Sequence, residues 1–281
     1  MKQIKSKYWI DKFAGFSIEG DDSKKFLNGI TTSNIISNTK NIVQTCWLTP
    51  TGVLRAVLEI HNINNESNRL LILVLMGDID ALRKYCKDFT FPSDDVKVGD
   101  IRYFSRIQEI DHMNNWREFI PELLDEINHN DYSFKNKLEF IKSYDLKEWQ
   151  INQGIPRFGY EINGKNNPLE LGLVDLIDFN KGCYLGQETM AKLKNVSILK
   201  QEIRVWFSSN ALENLRLKDN RIFFDMSERK TAGFITSCQK LRNKNYQGLV
   251  MVKKQYLEES IFYSDELGQI NTNKSIGSAF L

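Results

Sequence analysis

One short stretch of the 281-residue chain combines a nucleophile, a cation and two glycines. Cys183 lies between Gly182 and Gly186, Lys181 precedes it by two residues, and a helix is expected over residues 187–195. The positive end of a helix and a nearby lysine both stabilise a thiolate, and glycines let a ligand approach the backbone closely. We therefore predict that Cys183 is a catalytic nucleophile or redox group that Lys181 activates.

The local sequence alone leaves a second interpretation of Cys183 open, in which it is a buried cysteine packed in a glycine turn. Cys46 and Cys238 are interpreted as structural residues of this kind, because free cysteines are frequently buried. The cysteine spacings contain no C-x-x-C pair, so neither a zinc site nor a disulfide framework is indicated. We predict no metal site.

Several common catalytic motifs are missing from the sequence. It contains no G-x-G-x-x-G, no G-x-x-x-x-G-K-[ST], no H-E-x-x-H and no G-x-S-x-G, which argues against dehydrogenases, P-loop enzymes and zinc hydrolases. The three histidines, His61, His112 and His129, lie in polar stretches, and we expect them on the surface because polar side chains are mostly exposed. A mechanism built on imidazole is therefore not expected.

The composition is that of an ordinary globular protein, with 41% hydrophobic and 26% charged residues, which excludes collagen-like and disordered classes. The formal net charge of +2 gives no indication of a general nucleic-acid or membrane surface. The longest apolar run, residues 70–76, is far shorter than the ~20 residues of a membrane-spanning helix, and no apolar signal core follows the basic N-terminus. We therefore expect a cytoplasmic protein without a membrane partner.

The elements that must position the cysteine stretch follow from periodicity and turn residues. Residues 8–18 form an apolar-rich stretch, and predicted strands in the first part of the chain cover residues 43–48, 53–60, 69–76 and 96–104. Predicted helices cover residues 23–28, 78–89, 121–127 and the segment from Asp145 to before Gly154. Asp22 is expected to cap the first helix and Gly29 to end it, and Asp145 is expected to cap the last. This order predicts an α+β subdomain around residues 43–110, inside a first domain of residues 1–199.

The chain changes character after Lys200. Short β-like runs separated by polar turns cover residues 202–207, 221–224, 233–237, 248–252 and 261–263. Several short strands separated by turns are typical of a β-sandwich or a β-barrel. We therefore predict a separate C-terminal β-domain over residues 200–281.

Residues 181–188 read Lys-Gly-Cys-Tyr-Leu-Gly-Gln-Glu and resemble the K-G-C-Y-x-G-Q-E signature of the YgfZ family. These are folate-binding proteins related to the glycine cleavage T protein and implicated in iron–sulfur cluster assembly or repair. Further segments that resemble the family cover residues 22–32, 46–52, 154–156, 167–170 and 232–237. The resemblance implies an α+β fold with the three-lobed T-protein arrangement around a central channel and a C-terminal β-barrel.

The resemblance also implies tetrahydrofolate as the cofactor, with Cys183 and Lys181 at the folate channel. The folate-binding residues that it implies are Tyr184, Gln187, Glu188, Lys192 and Asn152. Asn152 stands where relatives often carry a carboxylate, so an amide contact to the pterin is expected. Lys192 replaces an arginine, which keeps the charge and loses the bidentate geometry. Four tryptophans either stack on the pterin or pack in the core: Trp47, Trp116, Trp149 and Trp206.

Aminomethyl transfer in the T protein is associated with an acidic pair after a hairpin glycine. This chain has Gly52-Val53-Leu54-Arg55-Ala56 at that place. Loss of a general acid–base group typically costs ~10²–10⁴-fold in rate. The resemblance therefore does not imply a competent aminomethyltransferase.

The function implied by the resemblance is that of a tetrahydrofolate-binding accessory protein for iron–sulfur enzymes, including tRNA-modifying ones. The implied partners are folate and iron–sulfur client enzymes or assembly factors, and direct nucleic-acid contact is not expected. Two alternatives stay open: an aminomethyltransferase of the glycine cleavage system, and a non-catalytic scaffold that binds RNA or protein. Basic residues at 192–194 and 242–244 favour the scaffold, but such short runs are usually solvated faces.

Overall fold

The structure, a computed structural model, describes residues 7–38, 41–62, 69–110, 116–119, 139–194, 199–208 and 217–274. The chain forms two compact units: the first unit is Met1–Thr45 with Ala56–Leu146, and the second unit is Cys46–Arg55 with Lys147–Leu281. Within the described ranges, no helix has the length and apolar content needed to cross a membrane. The predicted helix over residues 121–127 lies outside the described residues, and so do His112, His129 and the side chain of Trp116.

An eight-stranded sheet forms the centre of the first unit. Its strands are β1 (Lys7–Glu19), β2 (Ile42–Leu48), β3 (Leu54–Asn62), β4 (Arg69–Met76), β5 (Lys97–Val98), β6 (Arg102–Ile110), β7 (Trp116–Phe119) and β8 (Glu139–Phe140). The order is β2-β3-β4-β1-β6-β7, and β5 and β8 also pair with β1. Strand β4 lies between β3 and β1, which explains why its apolar run is buried. The tip of the β2–β3 hairpin, Cys46–Arg55, belongs to the second unit.

Helix α2 (Ile79–Asp88) forms where the sequence predicts a helix. Asp78 caps it, because the Asp78 carboxylate accepts a hydrogen bond from the Ala81 N–H at 3.0 Å. Leu82 and Cys86 are four residues apart and are both buried. The four-residue spacing therefore places both side chains on the same face of α2, which is the buried face.

Helix α1 (Ser23–Ile30) departs from the prediction at both ends. Asp22 makes no side-chain cap; its carboxylate instead accepts a hydrogen bond from the Asp95 N–H at 3.1 Å. The predicted stop at Gly29 is wrong, because the helix continues to Ile30, which is buried. Burial of that side chain outweighs the weak helix propensity of glycine.

The predicted strand over residues 96–104 is in fact two strands, β5 and β6. Gly99 lies between them, and its N–H donates to the Ser17 carbonyl of β1 at 2.8 Å. A Cβ atom at Gly99 would lie 2.5 Å from the Ser17 Oγ. The chain therefore approaches β1 closely at Gly99, and the regular pairing is interrupted there.

His61 is buried, although its polar neighbours predict a surface loop. Strand β3 continues past it to Asn62, with His61 opposite Leu71 of β4. The exposed fraction of His61 is 4%, and its Nε2 lies 3.4 Å from the Glu59 Oε2. The Glu59 carboxylate, itself 0% exposed, accepts a hydrogen bond from Arg106 Nη1 at 2.8 Å. The surface prediction for His61 is therefore wrong, because an ion pair distant in sequence supplies a polar environment inside the unit.

Within the described residues, two helices follow the sheet: α3 (Ser143–Asn152) and α4 (Gln187–Leu193). Asp145 lies in the first turn of α3 and not at its cap, a position where an acidic side chain complements the helix dipole. Helix α3 ends before Gly154, as predicted, and Gly154 has a positive φ of 73°. A 3-10 helix (Val174–Leu176) lies between α3 and α4.

A six-stranded β-barrel forms the C-terminal part of the second unit. Its sheet contains β9 (Gln201–Ser208), β10 (Arg221–Phe223), β11 (Thr231–Ile235), β12 (Gln239–Lys240), β13 (Tyr246–Lys253), β14 (Ile261–Ser264) and β15 (Gly268–Lys274). The order β11-β10-β14-β15-β9-β13 closes because β13 also pairs with β11, and β12 pairs with β13 outside this ring. The predicted C-terminal β-barrel is confirmed. Strand β15 was not predicted, because most of its residues are polar and only two are buried.

The barrel interior is an ordinary apolar core. Its buried members are Trp206, Ile222, Ala232, Ile235, Tyr246, Val250, Val252, Tyr256, Phe262, Leu267 and Ile270. The Trp206 indole N–H donates to the Ser237 carbonyl at 3.1 Å, which satisfies its one polar atom. Of the two interpretations of Trp206, the structure therefore supports packing in the core.

The predicted domain boundary at residues 199/200 falls just before β9. The Ile203 N–H of this strand donates to the Glu170 carbonyl at 2.8 Å. Strand β9 is therefore hydrogen-bonded to a residue that precedes the predicted boundary, and both belong to the second unit.

Candidate functional site

The candidate site is centred on the signature loop, defined as residues 181–188. Cys183 is exposed on this loop, whereas Lys181 and Tyr184 on either side of it are buried. The Gln187 N–H donates to the Tyr184 carbonyl at 3.1 Å, and the Gln187 side-chain amide donates to the Lys181 carbonyl at 3.4 Å. The loop therefore presents an exposed thiol on a hydrogen-bonded backbone. The interpretation of Cys183 as a buried packing residue is wrong.

Two glycines bring the signature loop against the tip of the β2–β3 hairpin. Gly186 precedes α4 with φ of 83°, and Gly52 in the hairpin turn has φ of 77°. A Cβ at Gly186 would lie 2.7 Å from the Thr49 carbonyl oxygen, and a Cβ at Gly52 would lie 2.8 Å from the Thr189 Cβ. There is no room for a methyl group on either side of this contact. The second glycine of the signature is therefore a structural residue that docks the loop on the hairpin.

Replacing Gly186 with alanine is expected to lower the free energy of unfolding by about 2–5 kcal/mol. The change puts a side chain in the left-handed region, which costs about 1–2 kcal/mol, and overpacks the contact with Thr49, which costs about 1–3 kcal/mol. Gly182→Ala is the matched control, because a Cβ at Gly182 meets nothing within 4 Å. Urea denaturation of both variants measures the difference, and equal losses contradict the docking role of Gly186.

Lys181 and Tyr184 form a buried polar pair beneath the exposed cysteine. The Lys181 Nζ lies 5.2 Å from the centroid of the Tyr184 ring. Burial lowers the pKa of Lys181 to about 8, although the nearby Asp178 carboxylate acts in the opposite direction. Burial also raises the pKa of Tyr184 to about 12, with smaller contributions from Cys46 and Asp178. At neutral pH the phenol is therefore protonated, while the lysine exchanges its proton readily.

Asp178 and Cys46 belong to this environment. Asp178 was not singled out from the sequence, and Cys46 was interpreted there only as a structural residue. Asp178 acts electrostatically on both Lys181 and Tyr184. Asp178 lies three residues before Lys181 in the sequence, and this opposite charge close to Lys181 could have been recognised from the sequence. Cys46 acts on Tyr184 from the hairpin tip, and the large sequence separation between them leaves no local signal.

Asn166 connects the hairpin tip with the rest of the second unit. Its backbone carbonyl accepts a hydrogen bond from the Leu54 N–H at 2.9 Å. Its side-chain oxygen accepts one from the Gln201 amide at 2.8 Å, and its side-chain amide donates to the Glu161 carbonyl at 2.9 Å. This buried residue therefore ties the hairpin to β9 and to the loop that contains Glu161, a role that no motif indicated.

The other expected folate-binding residues are exposed. Glu188 lies in the first turn of α4 and Lys192 in its last turn, so both also complement the helix dipole. Asn152 is the last residue of α3 and is exposed. The structure thus places Glu188 and Lys192 on the helix that continues the signature loop, with Asn152 on a separate helix of the second unit.

The chain is similar to known proteins in sequence and in fold. No family model matches the chain. An uncharacterized protein of Haemophilus influenzae is 26% identical over 253 residues, which cover 86% of this chain and 87% of that protein. The mitochondrial iron–sulfur cluster assembly factor IBA57 homolog of Neurospora crassa is 25% identical over 221 residues, 66% of this chain and 50% of that protein. The tRNA-modifying protein YgfZ of Buchnera aphidicola is 32% identical over 111 residues, 36% of this chain and 33% of that protein.

The fold has a solved counterpart. The crystal structure of the glycine cleavage system aminomethyltransferase T from Bartonella henselae aligns with a TM-score of 0.70, covering 99% of this chain and 87% of that chain. The sequence identity is 9%, so the likeness concerns the fold. The mixed α/β fold with a C-terminal barrel that the resemblance implied is confirmed. The chain is a distant homologue of the YgfZ and IBA57 proteins, and its fold is that of the glycine cleavage T protein.

Proposed function

We propose that this chain is a tetrahydrofolate-binding accessory protein that supports assembly or repair of iron–sulfur enzymes, including tRNA-modifying ones. Cys183 is the reactive group of the proposed site. The proposal is supported by two relatives whose names refer to iron–sulfur cluster assembly and to tRNA modification. It is also supported by the T-protein fold and by the geometry of the signature loop.

The observation that carries the proposal is the exposure of Cys183 on a loop that is otherwise held in place. Lys181 and Tyr184 beside it are buried, and Gly186 packs against the hairpin without room for a methyl group. Reactive side chains work best when the surrounding structure fixes their position. A cysteine that only packs does not need solvent access, whereas a nucleophile or redox group must be reachable from solvent.

The side chains of the proposed site fit a folate. Tetrahydrofolate has a flat pterin with hydrogen-bonding edges and an anionic glutamate tail. The amides of Asn152 and Gln187 and the carboxylate of Glu188 suit the pterin edge, and Lys192 suits the tail. When bound, tetrahydrofolate supplies one-carbon carrier chemistry. The three lobes and the central channel expected from the resemblance are part of this proposal.

Aminomethyl transfer is not part of the proposal. The residues after the hairpin glycine include Arg55, which is exposed, and Ala56, which is buried. Neither can position or polarise a folate nitrogen as a carboxylate does. The likeness to the aminomethyltransferase is one of fold, and a shared fold hosts different functions.

The proposed partners are iron–sulfur client enzymes or assembly factors. We do not assign a direct nucleic-acid or membrane partner, and we place the protein in the cytoplasm. Under this proposal the association with tRNA modification is indirect, through iron–sulfur enzymes that modify tRNA.

Calorimetric titration with tetrahydrofolate tests the proposal. Saturable binding is expected for the wild-type chain, and Lys181→Ala is expected to weaken it by about 10–100-fold, as loss of a hydrogen bond to a charged group does. Lys165→Ala is the control, because Lys165 is an exposed lysine outside the proposed site. Absence of saturable binding to the wild-type chain overturns the folate part of the proposal.

A further inference from the structure

We infer that the groove between the C-terminal end of α2 and strand β5 binds an extended peptide segment of a partner protein, in which apolar residues alternate with acidic ones. This edge groove has an apolar lining of Phe91, Pro92, Val96 and Val98. It belongs to the first unit, whereas the signature loop belongs to the second. Peptide binding in the edge groove goes beyond the proposed function and does not require a folate site.

The edge groove is an open cavity of about 370 Å³, a volume within the ~300–1,000 Å³ of typical ligand pockets. Its wall residue Phe91 is 69% exposed, and Phe89, two residues earlier in the chain, is 55% exposed. The Phe89 ring stacks on Tyr85 of α2, with the ring centroids 4.2 Å apart. Exposed aromatic side chains beside a cavity are typical of a surface that a partner covers.

The loop that forms the wall of the edge groove is held in place by hydrogen bonds. The Phe91 N–H donates to the Asp94 Oδ2 at 3.0 Å, and the Asp94 N–H donates to the Phe91 carbonyl at 3.0 Å. The Thr90 hydroxyl donates to the Cys86 carbonyl of α2 at 2.7 Å. A site that is already ordered loses less conformational entropy on binding, so the groove is suited to a peptide that becomes ordered only when it binds.

Strand β5 forms an open edge of the sheet beside this groove. It pairs with β1, and no other described strand pairs with it. The Gly99 N–H donates to the Ser17 carbonyl at 2.8 Å, and the next residue pair is Ile18 with Val98. Hydrogen-bonded and non-hydrogen-bonded pairs alternate along an antiparallel ladder, so the N–H and C=O of Val98 point away from β1. An incoming extended chain can pair with these groups, as in strand addition at an open edge.

The alternation of residues along β5 determines which peptide fits. Val96 and Val98 line the groove, whereas the exposed side chain of Lys97 between them lies on the opposite face, because successive side chains of an extended chain alternate. A paired segment with the same alternation places apolar side chains in the groove and its other side chains near Lys97. Opposite charges on neighbouring strands attract, so acidic residues fit at those other positions.

The charges around the edge groove favour the same peptide. Lys87 in the last turn of α2 also lines the groove, and neither Lys87 nor Lys97 forms an ion pair with a described residue. The acidic residue of the lining, Asp94, is held against a backbone N–H of the loop, and Asp88 of α2 pairs with Lys84 at 2.6 Å. The two lysines without an acidic partner therefore favour an acidic peptide over a basic one.

Fluorescence anisotropy with the labelled peptide Val-Glu-Val-Glu-Val, blocked at both ends, tests the inference on the full chain. Saturable binding is expected, about fivefold tighter or more than that of Val-Lys-Val-Lys-Val, because the cross-strand charge pairs then change from attraction to repulsion. Val98→Pro is expected to weaken binding about tenfold, because it removes the N–H at the open edge and leaves the hydrogen bonds to β1 intact. Phe91→Ala is expected to weaken binding by a similar factor through loss of the aromatic wall.

Tyr103→Ala is the matched control, because Tyr103 is a 76% exposed aromatic residue of the same sheet that lies outside the groove lining. It is expected to bind the acidic peptide as the wild-type chain does. Phe91 is exposed, so its truncation removes little packing and tests the groove even where Val98→Pro fails to fold.

Three results overturn the inference. The first is absence of saturable binding of the acidic peptide, or equal affinity for the acidic and the basic peptide. The second is binding that Phe91→Ala does not weaken. The third is self-association that Phe91→Ala abolishes, measured by sedimentation velocity, which would assign the groove to a second copy of this chain.

Discussion

Cells that depend on this chain for their iron–sulfur enzymes are expected to lose that activity to the level of a deletion strain when Cys183 is replaced by alanine. The physical reason is that Cys183 is exposed, so truncation removes a reactive atom and almost no packing. The free energy of unfolding is expected to change by about 0.5 kcal/mol or less, as for other surface substitutions. Complementation and urea denaturation measure the two effects separately.

Cys238→Ala is the matched control for this experiment. Cys238 is also a free and exposed cysteine, but it belongs to the barrel and not to the signature loop. This control variant is expected to complement fully. Full complementation by Cys183→Ala would show that the thiol is dispensable, and the proposed role of Cys183 would then be wrong.

Arg106→Ala is expected to lower the free energy of unfolding by about 3–5 kcal/mol, the usual cost of removing one partner of a buried ion pair. Arg106 is 4% exposed and Glu59 is 0% exposed, with 2.8 Å between Nη1 and Oε2. The substitution leaves the Glu59 carboxylate buried without its arginine. It also removes the contact of the guanidinium with the Phe13 ring, whose centroid lies 4.7 Å away. Equilibrium denaturation in urea gives the value.

Arg69→Ala provides the comparison on the same sheet. Arg69 pairs with Glu19 at 2.9 Å, but both side chains are about half exposed. Exposed pairs of this kind contribute about 0–1 kcal/mol. If both arginine variants lose the same free energy, the ion pair of Arg106 and Glu59 has no special role in stability.

Local sequence signals predicted elements whose stability is decided locally. Strand β4 was predicted at its observed bounds, because a continuous apolar run fits a strand buried between two neighbours. Helix α2 followed from the helical spacing of its apolar residues, which include Leu82 and Cys86. Both elements can be recognised from residues that are close together in the sequence.

Contacts between distant segments decided the features that were not predicted. Glu59 and Arg106 are 47 residues apart, so nothing near His61 indicated that its strand would be buried beside a charged pair. The contact of Gly186 with the hairpin turn likewise joins segments far apart in the chain. The motif around Cys183 could be recognised from the sequence, whereas the reason for its second glycine needed the structure.

Cys183 is proposed as a reactive group at a folate site. The most direct measurement is the rate of alkylation of Cys183 by iodoacetamide with and without tetrahydrofolate, with Cys238 in the same sample as the reference. Although Cys238 is exposed as a residue, burial around its thiol raises the pKa to about 11, so its alkylation is expected to be slow. Cys183 is expected to react about tenfold faster or more than Cys238, and saturating tetrahydrofolate is expected to slow the alkylation of Cys183 alone. A rate at Cys183 that tetrahydrofolate leaves unchanged would show that Cys183 does not lie at a folate site.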